Sequence, residues 1–270
     1  MNNKVIQGLW IGKGLSVMEQ LSIKSFIDNG HEYHLYVYED VEGIPKGTII
    51  KNADEVVSRE HIFRDEVLKA HVSFSDLFRY KLLLEKGGYW ADVDIICLKP
   101  FDFKSDYVFA AEKTAKNSDE RKKYGSNCVN GCVMKAPAQS EIMKFCYEMC
   151  LKKGPALYGW ELGPPILTDA VTRFGLTSYV HSAKTFTPIC WWDWKEVISE
   201  QLSTTLKIKL KLLSKTYAVH LWDSMWIREK ADKASIYHRN CLYERLKVRY
   251  LGSGYENTGN SKIGAHCSPS

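Results

Sequence analysis

The residues with the plainest chemistry are two aspartates, Asp92 and Asp94, in the stretch GGYWADVDIICLKP over 87–100. In an extended chain, positions i and i+2 face the same way, so both carboxylates would share one side while Val93 turns to the other. Two carboxylates side by side in a partly buried place repel, and each costs several kcal/mol to desolvate without a compensating charge. A divalent cation supplies that charge. Ligand sites in open α/β sheets gather at the carboxyl ends of strands, where this pair would lie. Taken alone, the tripeptide reads more simply as a strand end with two solvated acids; its surroundings are what restrict it.

Other chemistry-bearing residues also have an ordinary reading. Asp76 and Arg79 are spaced i, i+3 on one helix face, which describes a local ion pair worth about 0.3–0.5 kcal/mol if exposed. His220, in AVHLWDSMW, stands among aromatics, where an isolated histidine is usually a satisfied one. Trp10, at the end of the first apolar run, could stack on a nucleotide base or pack in the core. Cys128 with Cys132 and Cys146 with Cys150 have i, i+4 spacing but lack the matched second half of a zinc site.

The elements that must position these residues can be read in outline. KVIQGLWIG is a first strand, and Ser16 with Glu19 three residues later forms a capping box before a helix that Gly30 ends. EYHLYVYED is a second strand, and GIPKGTII is a turn into a short extended piece. A helix across SFSDLFRYKLLLEK, with Ser73 as N-cap and Gly87 and Gly88 as its stop, runs straight into the acidic pair. NGCVMKAP follows as a strand, SEIMKFCYEMCLKK and PPILTDAVTRF as helices, and LKIKLKLL alternates as a strand would. Strand, helix, strand is the opening of a parallel sheet. The polar stretch EKTAKNSDERKKYGSN reads as a surface loop.

Bulk composition excludes some classes. With 270 residues, 45% hydrophobic and 26% charged, the chain can bury a large core and is neither disordered nor membrane-spanning. It lacks the zones of a signal peptide, and eight cysteines in this length do not make a disulfide scaffold, so a cytoplasmic, reducing setting is expected. Residues 204–250 hold eleven lysines and arginines against four acids. That patch suits a solvated face or an anionic membrane surface, which would place the protein peripherally on the inner face of the cytoplasmic membrane. A nucleic-acid partner is not expected.

The longer run FSDLFRYKLLLEKGGYWADVDIICLKP resembles the central motif of D-x-D glycosyltransferases of family 32, which include mannosyltransferases, capsule and lipopolysaccharide enzymes and clostridial glucosylating toxins. The likeness extends upstream through GLWIG and downstream through GPPILT and HLWDSMW, spanning residues 5–226 with gaps. It implies an α/β, GT-A-like nucleotide-sugar-binding domain over 1–226, with a mixed, mainly parallel sheet, and a basic extension over 227–270. It also implies a metal-dependent, retaining hexosyltransferase using a nucleotide-sugar donor, expected to be a UDP-hexose, in capsule or lipopolysaccharide synthesis, with a glycan acceptor that could be lipid-linked. By the same likeness Asp92, Asp94 and His220 would hold the metal, Asp76 and Arg79 would face the donor, and Asn130 would bond the donor sugar. Ser224 and Trp226 would close over the pyrophosphate. Mixed imidazole and carboxylate ligands favour Mn2+, with Mg2+ as the alternative. A toxin-like effector that glycosylates protein and a metal-dependent sugar-binding module without catalysis are the competing readings.

Overall fold

The computed structural model describes residues 4–252, apart from 68, 118, 120–126, 156–159 and 213–214. Residues 118 and 120–126 of the polar stretch expected to form a surface loop, and the end of the basic extension, lie outside the described residues.

Strand β1 (Val5–Trp10) is central because its apolar run is buried on both faces. Helix α1 (Val17–Asp28) starts at the capping box of Ser16 and Glu19, with the Ser16 N–H donating to the Glu19 carboxylate at 2.6 Å. The chain then forms β2 (Glu32–Val37), β3 (Ile49–Asn52), α2 (Val72–Lys86), β4 (Gly88–Ala91) and β5 (Ile95–Cys97). Strands β6 (Val108–Lys113) and β7 (Asn127–Ala136) follow, then helices α3 (Glu141–Lys153), α4 (Pro164–Arg173), α5 (Ala183–Phe186) and α6 (Leu202–Lys211). The described chain ends with β8 (Ala218–His220), α7 (Asp223–Arg228) and α8 (Leu242–Leu251).

Six strands form one sheet in the order β3-β2-β1-β4-β7-β6. The β3-β2-β1-β4 portion is parallel, and β7 runs antiparallel to both β4 and β6. The expected α/β architecture with a mixed, mainly parallel sheet is therefore present. β6 points the same way as β4, so the carboxyl ends of β1, β4 and β6 all lie at one end of the sheet. A separate two-stranded sheet pairs β5 antiparallel with β8, with Ile95 opposite His220.

Four sequence expectations need correction. Helix α2 begins at Val72, and its first turn is not capped by Ser73; the Asp65 carboxylate accepts from the N–H groups of Val72 and Ser73 at 3.0 and 3.2 Å. A cap from seven residues upstream leaves no local signature. LKIKLKLL belongs mostly to helix α6 and not to a strand. Alternation would bury Leu206 and Ile208 together, whereas Ile208 is buried and Leu206 is half exposed, as a period of 3.6 requires. The acidic pair lies in a turn between β4 and β5, not in a continuous strand, with Asp92 C=O accepting from Ile95 N–H at 3.0 Å. The fourth concerns Trp226, described with the site.

Residue 226 falls inside α7, and the chain beyond it packs closely on what precedes it. Leu242, Tyr243, Leu246 and Tyr250 join Val17, Met18, Leu21, Trp194 and Trp226 in one apolar cluster. The Tyr250 hydroxyl donates to Cys97 C=O at 2.7 Å, tying α8 to the end of β5. Among the basic residues of 204–250, Lys207 pairs with Glu196, Lys233 with Glu19 and Asp223, and Lys247 with Glu244. Among the described residues no helix is long and apolar enough to cross a membrane.

Candidate active site

Two glycines deliver the chain from α2 to the acidic turn. Gly87, at φ 65, ends the helix where a Cβ would sit 2.4 Å from the backbone nitrogen of Ala138, so no other residue fits there. Strand β4 then carries the chain to Ala91, and the turn bends both carboxylates inward. The two acids converge because of that turn, not because of a strand pleat. Opposite them, β8 runs beside β5, and Leu221 N–H donates to Asp94 C=O at 3.0 Å. That register sets His220 Nε2 3.1 Å from Asp94 Oδ2.

Asp92, Asp94 and His220 each offer a ligand atom, all within 4.8 Å of one another, and they form the one such group of three among the described residues. Asp94 also accepts from Asp223 N–H at 2.8 Å. The residue between, Trp222, takes a left-handed conformation at φ 61, which is costly for a bulky side chain. Its indole lies against the His220 ring with centroids 3.8 Å apart and donates to Ile189 C=O.

Electrostatics divide the pair. Burial disfavours a charged Asp94, but the His220 charge and hydrogen bond and the Asp223 N–H outweigh it and hold the carboxyl below its usual range. Burial pushes Asp92 the other way, offset in part by Arg79 and increased by the charge of Asp94. His220 is penalised by burial yet raised well above the ordinary histidine value, chiefly by Asp94 and then by the neighbouring Cys132 thiol. Its Nδ1 is buried without a hydrogen-bond partner. The histidine proton thus stands as counter-charge to the carboxylates, in the position where a divalent cation would serve better. Two carboxylate oxygens and an imidazole nitrogen at this separation fit a hard to borderline divalent ion.

Arg79 continues the cluster. Its guanidinium lies 3.1 Å from Asp92 and 3.4 Å from Asp76, bonds the Ser75 hydroxyl at 2.8 Å and stands over the Trp90 ring at 5.1 Å. Trp90 in turn donates to Asp92 at 2.8 Å. Asp76 is pushed up to about 7, mainly by burial, against the pull of Arg79. The pair is buried, so the exposed ion-pair reading of the spacing does not apply. Glycines make room for it: a Cβ at Gly131 would meet Arg79 Nη1 at 2.6 Å, and one at Gly163 would meet the Asp76 carboxylate at 2.8 Å.

Asn130 lies on β7 beside an irregularity in its pairing with β6. It donates to Glu112 at 2.8 Å and accepts from Cys132 N–H at 2.7 Å. Trp10 is at the carboxyl end of β1, with its indole N–H buried and unpartnered. Ser224 is partly exposed in α7. Trp226 is wholly buried: its indole donates to Leu221 C=O and packs 5.2 Å from Trp194 and 5.0 Å from Tyr243. It faces the core, not a diphosphate. Three residues beside the site were not singled out from the sequence: Glu112, whose carboxyl burial raises; Trp222, on the His220 ring and within HLWDSMW; and Lys233, which bridges Glu19 and Asp223.

Comparison with known proteins gives two family matches. Residues 16–115 match the model described as a glycosyltransferase sugar-binding region containing the DXD motif, and residues 163–250 match an alpha 1,4-glycosyltransferase conserved region. The lactosylceramide 4-alpha-galactosyltransferases of Homo sapiens and Pan troglodytes are each 24% identical over 195 residues, covering 67% of this chain and 49% of theirs. The chain spans about half the length of these curated relatives. Among solved structures, the galactosyltransferase LgtC, in complex with donor and acceptor sugar analogues, is 14% identical at a TM-score of 0.48, covering 92% of this chain and 95% of its own. The PaToxG glycosyltransferase is 13% identical at 0.47, covering 93% and 86%. The first match, over residues 16–115, includes Asp92-Val93-Asp94, and the second, over 163–250, includes His220, so the chain is similar to glycosyltransferases on both sides of the acidic cluster.

Proposed function

We propose that the protein is a metal-dependent, retaining hexosyltransferase that moves a sugar, with galactose the first choice, from a UDP-hexose to a hydroxyl of a glycan acceptor. The convergence of Asp92 and Asp94, from the turn before β5, with His220, from the paired strand β8, carries this reading, because two carboxylates and an imidazole nitrogen come within 4.8 Å of one another, Asp94 and His220 buried and Asp92 partly exposed. Mn2+ is the favoured ion, held by these three residues, with Mg2+ as the alternative. When bound, such an ion neutralises the diphosphate and makes it a good leaving group.

The remaining roles fall to the chain's own groups. Arg79 donates to donor phosphate or sugar, and Asp76 accepts from sugar hydroxyls, held beside Arg79 by the space that Gly131 and Gly163 leave. Asn130 orients the sugar, Trp10 stacks on the base, and Ser224 lies toward the phosphates. The acceptor oxygen bonds to the anomeric carbon as the bond from that carbon to the diphosphate oxygen breaks, and the acceptor proton passes to the departing oxygen. Retention is favoured by the alpha linkage in the names of the matched region and relatives, since a donor sugar alpha-linked to diphosphate gives an alpha product only with retained configuration. A glycan acceptor, free or lipid-linked, is preferred to a protein because the relatives are named for a glycolipid.

Release of nucleoside diphosphate from a panel of UDP- and GDP-hexoses, with Mn2+ and then with chelator, tests the proposal. Metal-dependent release from a UDP-hexose is the expected result. No release from any donor removes the assignment and leaves a sugar-binding module.

A further inference from the structure

Tyr33 stands on β2 with its side chain wholly buried, and among the described residues no group accepts a hydrogen bond from its hydroxyl. A phenol taken out of water without a partner gives up its hydration and gains nothing in exchange. The chain nevertheless makes room for that hydroxyl. Tyr33 is in register with Ile6 on β1, and its ring leans along the sheet to Gly8, where an added Cβ would collide with the hydroxyl oxygen. Gly8 is not one of the glycines with positive φ, so space and not backbone conformation calls for a glycine there.

The same glycine shows where the hydroxyl is aimed. A Cβ on Gly8 would also lie 3.1 Å from Ala91 C=O, the last residue of β4 before the acidic turn. Tyr33, Ala91 and Ile95 belong to one apolar cluster, so the phenol packs with both ends of that turn. Burial, and after it the charges of Asp92 and Asp94, hold the phenol well above its ordinary value. It therefore keeps its proton and offers a donor, not a ligand oxygen. Tyr89 is a useful contrast: its hydroxyl is also buried without a partner among the described residues, but the charges acting on it are those of Asp102 and Tyr217.

The acidic turn has acceptors to match. Asp92 uses Oδ1 for both Arg79 and Trp90, and Asp94 uses Oδ2 for both His220 and the Asp223 N–H. Each carboxylate keeps a second oxygen.

Resting on the metal-dependent reading above, we infer that Tyr33 is a positioning residue of the metal site, whose hydroxyl donates to the Asp92–Asp94 turn when a divalent cation draws the two carboxylates together. It acts through the turn and touches neither cation nor substrate. Because its partner comes only with the cation, the same oxygen weakens the metal-free fold and strengthens the loaded one.

Tyr33→Phe removes that oxygen alone. Mn2+ titrated calorimetrically into the full chain with UDP present should bind this variant about tenfold more weakly than wild type, in the range found for groups that orient ligands, while Tm without metal holds or rises. Gly8→Ala should lower the metal-free Tm by pushing the hydroxyl aside. Adding Tyr33→Phe to Gly8→Ala should recover that Tm without recovering Mn2+ affinity. A tyrosine with a structural role only gives the opposite pattern: in Tyr33→Phe the metal-free Tm falls and Mn2+ binds as in wild type, and either result overturns the role. Wild-type protein that takes up no Mn2+ overturns the metal reading and this role with it, whereas equal affinity in wild type and Tyr33→Phe overturns this role alone.

Discussion

The segment from His220 to Trp226 faces two interiors that are equally buried and oppositely built. On one side His220 and Asp223 reach Asp94, in a cluster where Asp94, Asp76 and Arg79 are buried, Asp92 is partly exposed and His220 Nδ1 has no partner. On the other, Trp226 packs with Trp194, Tyr237 and Tyr243, and its polar handle is satisfied, as is that of Tyr243 through Lys233 C=O. The aromatic side is complete as folded. The acidic side carries opposed charges that cost stability unless something binds there. Burial alone therefore does not distinguish core from site; unspent polar capacity does.

The contrast can be broken most sharply at Asp94. Asp94→Asn should lower transfer on the order of 100-fold or more, as loss of a charged site partner does, and Tm of the metal-free protein should fall as well, because His220 and the Asp223 N–H lose the carboxylate charge they hold. A variant with near-wild-type turnover would remove Asp94 from the chemistry. Trp226→Ala should act on stability alone. It should cost about 3–5 kcal/mol in unfolding free energy, with kcat per folded molecule nearly kept; a selective loss of kcat at unchanged stability would return Trp226 to the donor pocket. Lys233→Met lies between the two, because its ammonium bridges Glu19 of the α1 capping box and Asp223 beside Asp94. We expect roughly a tenfold loss of metal affinity or activity, in the range found for groups that orient ligands, and calorimetric Mn2+ titration of the variant measures it.

The smallest effect is a pH dependence of the metal-free protein. Asp76 is raised to about 7 in the folded state, so between the unfolded value near 3.8 and that point the folded state binds more protons. Stability therefore falls as pH rises through this window. His220, raised above its ordinary value, adds the same sign above about 6.5. Thermal melts without metal should give a lower Tm at pH 8 than at pH 5, and Mn2+ should raise Tm more at pH 8, where the ligands need lose fewer protons. A metal-free Tm that climbs from pH 5 to 8 would contradict the burial of these charges.

Legibility in the sequence followed the range of the interactions. The capping box, the glycine stops, the Pro164 helix start and the first two strands are local devices and were readable where they occur. Helix α2's cap from Asp65 comes from outside the adjacent position where a cap is read, and over LKIKLKLL alternation of polar and apolar residues masks a helix that starts upstream at Leu202. The acidic pair could be located by composition, yet its geometry comes from a turn stabilised by an Asp92 to Ile95 bond, which spacing alone could not separate from a strand. His220 reached the metal expectation only through resemblance, since 126 residues separate it from Asp94. Glu112 and Lys233 had no motif around them, and Trp222, though inside HLWDSMW, was given no role. Trp226 was given to the pyrophosphate by resemblance alone, and nothing local in the sequence showed that on the six-residue α7 it would turn toward Trp194 and Tyr243.

The bond from Lys233 to Glu19 joins residues 214 positions apart. During synthesis the chain emerges amino-terminus first, at about 5–20 residues per second. The acidic turn is therefore made, with Arg79 already beside it in the chain, well before His220, the partner of Asp94, and Lys233, the partner of Glu19 and Asp223, have left the ribosome. The cluster can therefore be completed only late in synthesis, when its last cation arrives.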